Sequence, residues 1–117
     1  MRLSNKVSII TGAARGIGQA TAVKVAQEGA KVVVCDLDEA AVAAVADTIN
    51  KNGGQAIGIK LDVTKKASVA AMVSAVMAQY GRIDVLVNNA GIVMDAQLKK
   101  MTDEQFDKVI DVNLKGT

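Results

Sequence analysis

Four apolar runs rich in β-branched residues alternate along the chain with stretches whose apolar positions recur at helical spacing. Val7 to Ile10 reads as a first strand, Val32 to Asp36 as a second, Ala56 to Leu61 as a third and Ile83 to Asn88 as a fourth. Between them, residues 16–28, 38–52 and 66–80 predict helices. In the second helix Val42, Val45, Ala46 and Ile49 fall at i, i+3, i+4 and i+7, one face of a 3.6-residue period. The third carries Val69, Met72, Val73, Val76, Met77 and Tyr80 on a single stripe, so its methionines read as core filler. Gly29, Gly53-Gly54 and Gly81 stand where these helices should stop. A loop from Asn89 to Lys100 leads to a last predicted helix from about Thr102, a plausible N-cap, with Phe106, Val109, Ile110 and Leu114 as its apolar stripe. The three consecutive valines of the second strand imply burial on both faces, as in a parallel sheet covered by helices. The order βαβαβαβα therefore predicts an α/β fold, a doubly wound parallel sheet with right-handed crossovers. Residues 1–117 are expected to belong to a single domain, without repeats or linkers.

Composition narrows the classes of function. Half of the 117 residues are apolar, and only Phe106 and Tyr80 are aromatic, so the core must be aliphatic. A chain of this length buries roughly two-thirds of its unfolded surface. The net charge of +2 comes from scattered residues, and the longest basic runs are the pairs Lys65-Lys66 and Lys99-Lys100. A nucleic-acid binder needs a basic stripe or patch, and none is evident; both pairs read as solvated lysines. Cys35 is alone and forms no internal disulfide. Following three valines, it reads as a buried, inert thiol rather than a reactive one. The N-terminus has Arg2 and Lys6 but no uninterrupted apolar region of signal-peptide type. No apolar run approaches the roughly 18 residues of a membrane span. A soluble, cytoplasmic protein without a nucleic-acid or membrane partner is expected, and no metal site.

The clearest chemistry lies where the first strand runs into Thr11-Gly12-Ala13-Ala14-Arg15-Gly16-Ile17-Gly18. A glycine-rich turn between a strand and a helix N-terminus suits a diphosphate, because backbone N–H groups point outward and the helix dipole favours negative charge. A Cβ would block close approach of the backbone to the phosphates. The spacing of Gly12, Gly16 and Gly18 is G-x-x-x-G-x-G, not G-x-G-x-x-G. Three glycines alone are a weak signal; their place between a predicted strand and a predicted helix makes it strong. Within the turn, Ala14, Arg15 and Ile17 join the glycines as candidate contacts.

Asp36 ends the second strand, 18 residues beyond Gly18, where a carboxylate can accept hydrogen bonds from both hydroxyls of an adenosine ribose. The alternative is a solvated helix cap, since Asp36 and Asp38 both precede a helix. Leu37 follows as a further candidate contact. Asp62 and Val63 end the third strand, where Asp62 could accept from an adenine amino group and the Val63 backbone could donate to the ring. Otherwise Asp62 is a turn aspartate before Thr64, itself a good N-cap. Asn88-Asn89-Ala90-Gly91 ends the fourth strand. Small residues there would let a ligand cross the sheet edge closely, although Asn and Gly also make ordinary turns. Asn113 stands at i+7 from Phe106, inside the last apolar stripe. A buried amide without partners costs about 1–3 kcal/mol, so it should be hydrogen-bonded, unless it is half-exposed at a frayed terminus.

Together these pieces resemble the short-chain dehydrogenase/reductase family over essentially the whole chain. T-G-x-x-x-G-I-G is met by Thr11 to Gly18, N-N-A-G by Asn88 to Gly91, and the asparagine of a later helix motif by Asn113 in Val112-Asn113-Leu114-Lys115-Gly116-Thr117. The stretch from Gly91 through Asn113 is similar to the 3-oxoacyl-[acyl-carrier-protein] reductase group. The resemblance implies a Rossmann-like fold and an NAD(P)-dependent oxidoreductase. Hydride would pass between the nicotinamide and a small carbonyl or alcohol substrate, 3-oxoacyl-thioester reduction being one form. Gly12, Ala14, Arg15, Gly16, Ile17, Gly18, Asp36, Leu37, Asp62, Val63, Asn89, Ala90 and Gly91 would bind the cofactor. Asp36 would repel a 2′-phosphate and favours NAD. Arg15 pulls toward NADP, but Leu37 rather than a basic residue follows Asp36, so NAD is expected ahead of NADP.

The family's catalysis implies a tyrosine as general acid/base, a lysine four residues later, a serine that positions the substrate oxygen and an asparagine that supports a water relay. Asn113 matches the asparagine. The only tyrosine is Tyr80, with Asp84 four residues on, and no serine follows Ser74. The chain thus reads as the N-terminal, cofactor-binding half of an enzyme, ending within the helix after the fourth strand and inactive alone. The alternative is a non-catalytic nucleotide-binding module or a self-complementing half-domain. With strand order 3-2-1-4 the fourth strand would be an exposed edge, and the last helix would show its stripe to water. Self-association, or marginal stability, is the expected consequence.

Overall fold

A computed structural model describes residues 4–14, 16–62, 64–88 and 110–113. Its elements are β1 (Val7–Thr11), α1 (Gly16–Gln27), β2 (Lys31–Asp36), α2 (Glu39–Lys51), β3 (Gln55–Lys60), α3 (Lys66–Tyr80), β4 (Val85–Asn88) and β5 (Ile110–Asn113). The sheet is parallel throughout, in the order β3-β2-β1-β4-β5. The predicted order 3-2-1-4 is present within it.

Strand alternation sorts the core into two layers. Val7 and Ile9 of β1 and Val33 and Cys35 of β2 pack with Val69, Met72, Val73 and Val76 of α3. Ile10, Val32 and Val34 face the other way, onto Ala22 of α1 and Val42, Val45, Ala46 and Ile49 of α2. The stripes predicted for α2 and α3 are therefore the buried faces of those helices, with Met77 and Tyr80 partly buried at the end of α3. The valines of β2 are fully enclosed because helices cover both faces of the sheet.

Two local devices hold α2 to the outer strand β3. The Asn50 side-chain amide donates to the Ala56 carbonyl (2.9 Å), and its oxygen accepts from the Ala56 N–H (2.8 Å). It thus takes the place of a neighbouring strand at an edge. Gly58 lies directly beneath the α2 backbone. A Cβ there would meet the carbonyl carbon and oxygen of Val42 at 2.9 Å and the nitrogen of Ala43 at 3.2 Å. Backbone cannot swing aside as a flexible side chain can, so Gly58→Ala is expected to lower stability by roughly 1–3 kcal/mol. The check is a lower denaturant midpoint at unchanged slope; an unmoved midpoint would mean that α2 lifts freely.

Three expectations need correction. The helix expected from about Thr102 lies outside the described residues as far as 109, and Ile110–Asn113 is a strand, not helix. It pairs with β4 in the register Val85↔Ile110 to Asn88↔Asn113. In consequence β4 is not an exposed edge but lies between β1 and β5. The physical reason is the demand of the β4 backbone for partners. Ile110-Asp111-Val112-Asn113 alternates apolar and polar at period two and supplies them. Lastly, Thr64 is not the N-cap of α3. Lys65 holds that position without a side-chain bond, and the Thr64 hydroxyl donates to Asp62 Oδ1 at 2.6 Å.

Candidate functional site

All five strands run the same way, so their C-terminal ends share one rim of the sheet. Thr11, Asp36, Lys60, Asn88 and Asn113 end these strands. Gly12 and Gly16 of the turn after β1 have φ of +63° each, a conformation that L side chains rarely adopt. A Cβ built on Gly16 would meet nothing within 4 Å. The fold itself thus leaves open the space that a Cβ would fill, at the first residue of α1. No acidic residue occupies the first turn of α1, whereas α2 opens on the Asp38 cap and Glu39. The positive end of the α1 dipole is therefore not countered by a carboxylate in that turn.

Asp36 belongs to the same place. The Ala13 N–H donates to the Cys35 carbonyl (3.1 Å), which draws the turn across the end of β2. The Ala14 N–H donates to Asp36 Oδ2 at 3.2 Å, and the Asp38 N–H approaches Oδ1 at 3.4 Å. The carboxylate is partly exposed and stands beside the glycine turn. The cap of α2 is Asp38, which accepts from the Ala41 N–H at 3.0 Å. The helix cap is therefore Asp38, while the Asp36 carboxylate accepts from the glycine turn and from the Asp38 N–H.

Ile17 and Leu37 are the exposed large aliphatic side chains among the described residues, at 49% and 60%. Single exposed apolar residues are ordinary, but both of these flank the glycine turn and Asp36. Asp62 is engaged in a turn. Its Oδ1 accepts from the Thr64 hydroxyl and from the Thr64 N–H (3.0 Å), and Oδ2 lies 3.9 Å from the Lys65 ammonium. The Thr64 hydroxyl, then its N–H, hold the Asp62 carboxyl below the usual range, with Lys65 and Lys60 adding to them. These are the bonds of a turn, formed within residues 62–65. Arg15, Val63, Asn89, Ala90 and Gly91 lie outside the described residues. Asn113 comes to the rim opposite Asn88 in strand register, and not on the helix expected for it.

Other side chains singled out in the sequence lie in the core or at the opposite rim. Burial, and secondarily the charge of Asp36, push the Cys35 thiol far above its ordinary pKa, as suits an inert core residue. Tyr80 ends α3 at the opposite rim, packed on the core with the Lys31 ammonium 5.6 Å from its ring centre. A groove of about 540 Å³ also lies there, lined in part by Asn5, Gln27, Lys31, Asn52 and Gln55. It shares no described residue with the glycine turn. Sequence reasoning does not single out Lys60, because only strand register relates it to Asp36.

Comparison with known proteins places these features in a lineage. A family model described as short chain dehydrogenase matches residues 6–117. The chain is 49% identical over 116 residues to galactitol 2-dehydrogenase of Agrobacterium fabrum, covering 99% of this chain and 44% of that one. It is 47% identical to the 3-oxoacyl-[acyl-carrier-protein] reductase of Thermotoga maritima, covering 99% and 47% respectively. The chain thus spans less than half the length of these curated relatives. Among solved structures, a metagenomic short-chain oxidoreductase in complex with NADP matches 79% of this chain and 42% of its own, at 42% identity and a TM-score of 0.74. A 7α-hydroxysteroid dehydrogenase complexed with NADH and a 7-oxo bile acid conjugate matches 78% and 36%, at 42% identity and a TM-score of 0.75.

Proposed function

The chain belongs to the short chain dehydrogenase family, and on that premise we propose that it binds NAD(P) across the C-terminal rim of its sheet. It would serve as the cofactor-binding part of an oxidoreductase that interconverts a carbonyl and an alcohol. The observation that carries this reading is the joint geometry of the turn: an open cradle at Gly16, with the Asp36 carboxylate 3.2 Å from the Ala14 N–H.

The backbone from Gly12 to Gly18 would hold the diphosphate against the N-terminus of α1. Asp36 would accept from the ribose hydroxyls, and Ile17 and Leu37 would lose their exposed surface to the ligand. Arg15, Asp62, Val63, Asn89, Ala90 and Gly91 complete the proposed contacts, with Asn113 as a catalytic support at the same rim. When bound, the dinucleotide supplies or accepts a hydride at its nicotinamide ring. A carbonyl oxygen that receives hydride also needs a proton donor placed beside it. Tyr80 is on the wrong rim for that task, and Asp84, four residues later, is held by Arg82. These 117 residues alone are therefore expected to turn over weakly or not at all.

The position of Tyr80 also favours a second reading, a nucleotide-binding module without chemistry of its own. Sustained turnover by the purified chain would remove that reading. Substrate class goes no further than a small carbonyl or alcohol, with a 3-oxoacyl thioester as one candidate. Association through the outer edge of β5, with another copy or a further strand, is part of the proposal and would show as concentration-dependent sedimentation.

NAD is proposed as the preferred cofactor, because Asp36 offers acceptors to hydroxyls and repulsion to a 2′-phosphate. Titration of NADH and NADPH against the chain and against Asp36→Ala is the test. Loss of the carboxylate is expected to weaken NADH about tenfold or more, the scale of hydrogen bonds to a charged group, and to raise NADPH relative to it. Failure of both dinucleotides to bind the unaltered chain would overturn the reading.

A further inference from the structure

Asp36 is not the only charged residue at the adenosine end of the rim. The register of β2 with β3 pairs Asp36 with Lys60, the last residue of the outer strand. The Leu61 N–H donates to the Asp36 carbonyl at 2.8 Å and fixes that alignment just beyond the pair. Both side chains leave the same face of the sheet. Val34, two residues before Asp36, and Ala56, four residues before Lys60, belong to one core layer, and strand periodicity carries that face to the rim. Neighbouring strands lie about 4.8 Å apart, well within reach of a lysine's four-carbon stem. Lys60 is exposed, and among the described residues no carboxylate lies within ion-pairing distance of its ammonium.

We infer that Lys60 is a specificity-determining residue of the cofactor site, a cation in strand register with Asp36 that receives the 2′-phosphate of NADP. This rests on the cofactor-binding reading above and deepens it. A phosphate monoester carries about −1.5 to −2 charges at neutral pH, and Asp36 alone would exclude it. A flexible ammonium on the adjacent strand offsets that repulsion without disturbing the carboxylate's bonds to ribose hydroxyls. Asp36 then sets the preference for NAD, and Lys60 keeps NADP within reach of the same site. The charge of Lys60 already bears on this corner of the rim, where it helps to hold the Asp62 carboxyl low.

The test is binding of NADH and NADPH to the full 117-residue chain and to two variants, followed by dihydronicotinamide fluorescence. Lys60→Gln removes the proposed cation. Lys51→Gln removes an equal charge at the far end of α2, near the opposite rim, and serves as the control for net charge. Lys60→Gln is expected to weaken NADPH about tenfold, the lower range for a hydrogen bond between charged groups, and to leave NADH within about twofold. Lys51→Gln should alter neither. The inference falls if Lys60→Gln weakens both cofactors alike, or if the NADPH-to-NADH ratio stays fixed while NADH still binds. If neither dinucleotide binds the unaltered chain, the cofactor reading falls with it, which separates the two failures.

Discussion

Gly16→Ala is expected to weaken dinucleotide binding by about a hundredfold or more while leaving the chain folded. Backbone N–H bonds to a charged phosphate contribute roughly 1.5–3 kcal/mol each, and displacement of the diphosphate by a methyl group breaks more than one. The cost to the fold is smaller. A Cβ at Gly16 meets no atom within 4 Å, so the penalty is only that of φ +63° in an L-residue, about 1–2 kcal/mol. The two causes can be separated. Asn tolerates the left-handed region better than Ala, so Gly16→Asn should recover stability yet still fill the cradle. Loss of binding in both variants, with only Ala depressing the melting midpoint, is the expected pattern. Binding restored by Asn would mean that Gly16 serves backbone geometry alone and that no phosphate approaches it.

The turn that holds Gly16 is visible in the sequence as glycines between a strand and a helix. Much of the scaffold is legible in the same way. Val32, Val33 and Val34 predict a strand enclosed on both sides, and all three are fully buried. The stripe of Val42, Val45, Ala46 and Ile49 is the buried face of α2. These features are local, so periodicity suffices to read them.

What the sequence does not show is decided across the sheet. Phe106, Val109 and Ile110 fit a helical stripe, but Ile110 to Asn113 also fits strand alternation. Short apolar segments permit both readings, and the unpaired backbone of β4 decides for the strand. Asp36 and Lys60 are 24 residues apart in the chain and neighbours only through register. Thr64 has the composition of a helix cap, yet its hydroxyl turns back to Asp62. At the site, the same logic separates Asp36 from Asp38. Both precede α2, and only the hydrogen bonds show that Asp38 caps it while Asp36 faces the glycine turn.

Removal of Asp84 should cost the fold heavily. Its Oδ2 accepts from the Val7 N–H (2.8 Å), and its own N–H donates to the Val7 carbonyl (2.9 Å), across 77 positions of sequence. Arg82 grips the carboxylate with Nε at 2.8 Å and an Nη at 2.6 Å. This clasp lies one residue before the first β1–β4 pair, Ser8↔Val85, and aligns the two strands. Asp84→Ala would leave the N–H of buried Val7 without its acceptor and a guanidinium without its anion, at a cost of about 2–4 kcal/mol. The effect should depend on pH. Burial pushes the Asp84 carboxyl up, but the Arg82 and Val7 hydrogen bonds, with the charges of Arg82 and Lys6, outweigh it and hold it below the ordinary value. A carboxyl that is more acidic in the folded state than in the unfolded state stabilises fully above its unfolded pKa, near 4, and loses that contribution as pH falls through the folded value. Denaturant midpoints for the chain and Asp84→Asn should therefore differ most at neutral pH and converge as the pH falls below about 4. A constant gap would deny the charge its role. Because the clasp sits at the rim opposite the glycine turn, the folded fraction of the variant should bind dinucleotide as the unaltered chain does. Weaker binding by fully folded Asp84→Asn would show instead that β1–β4 alignment is transmitted through the strands to the site.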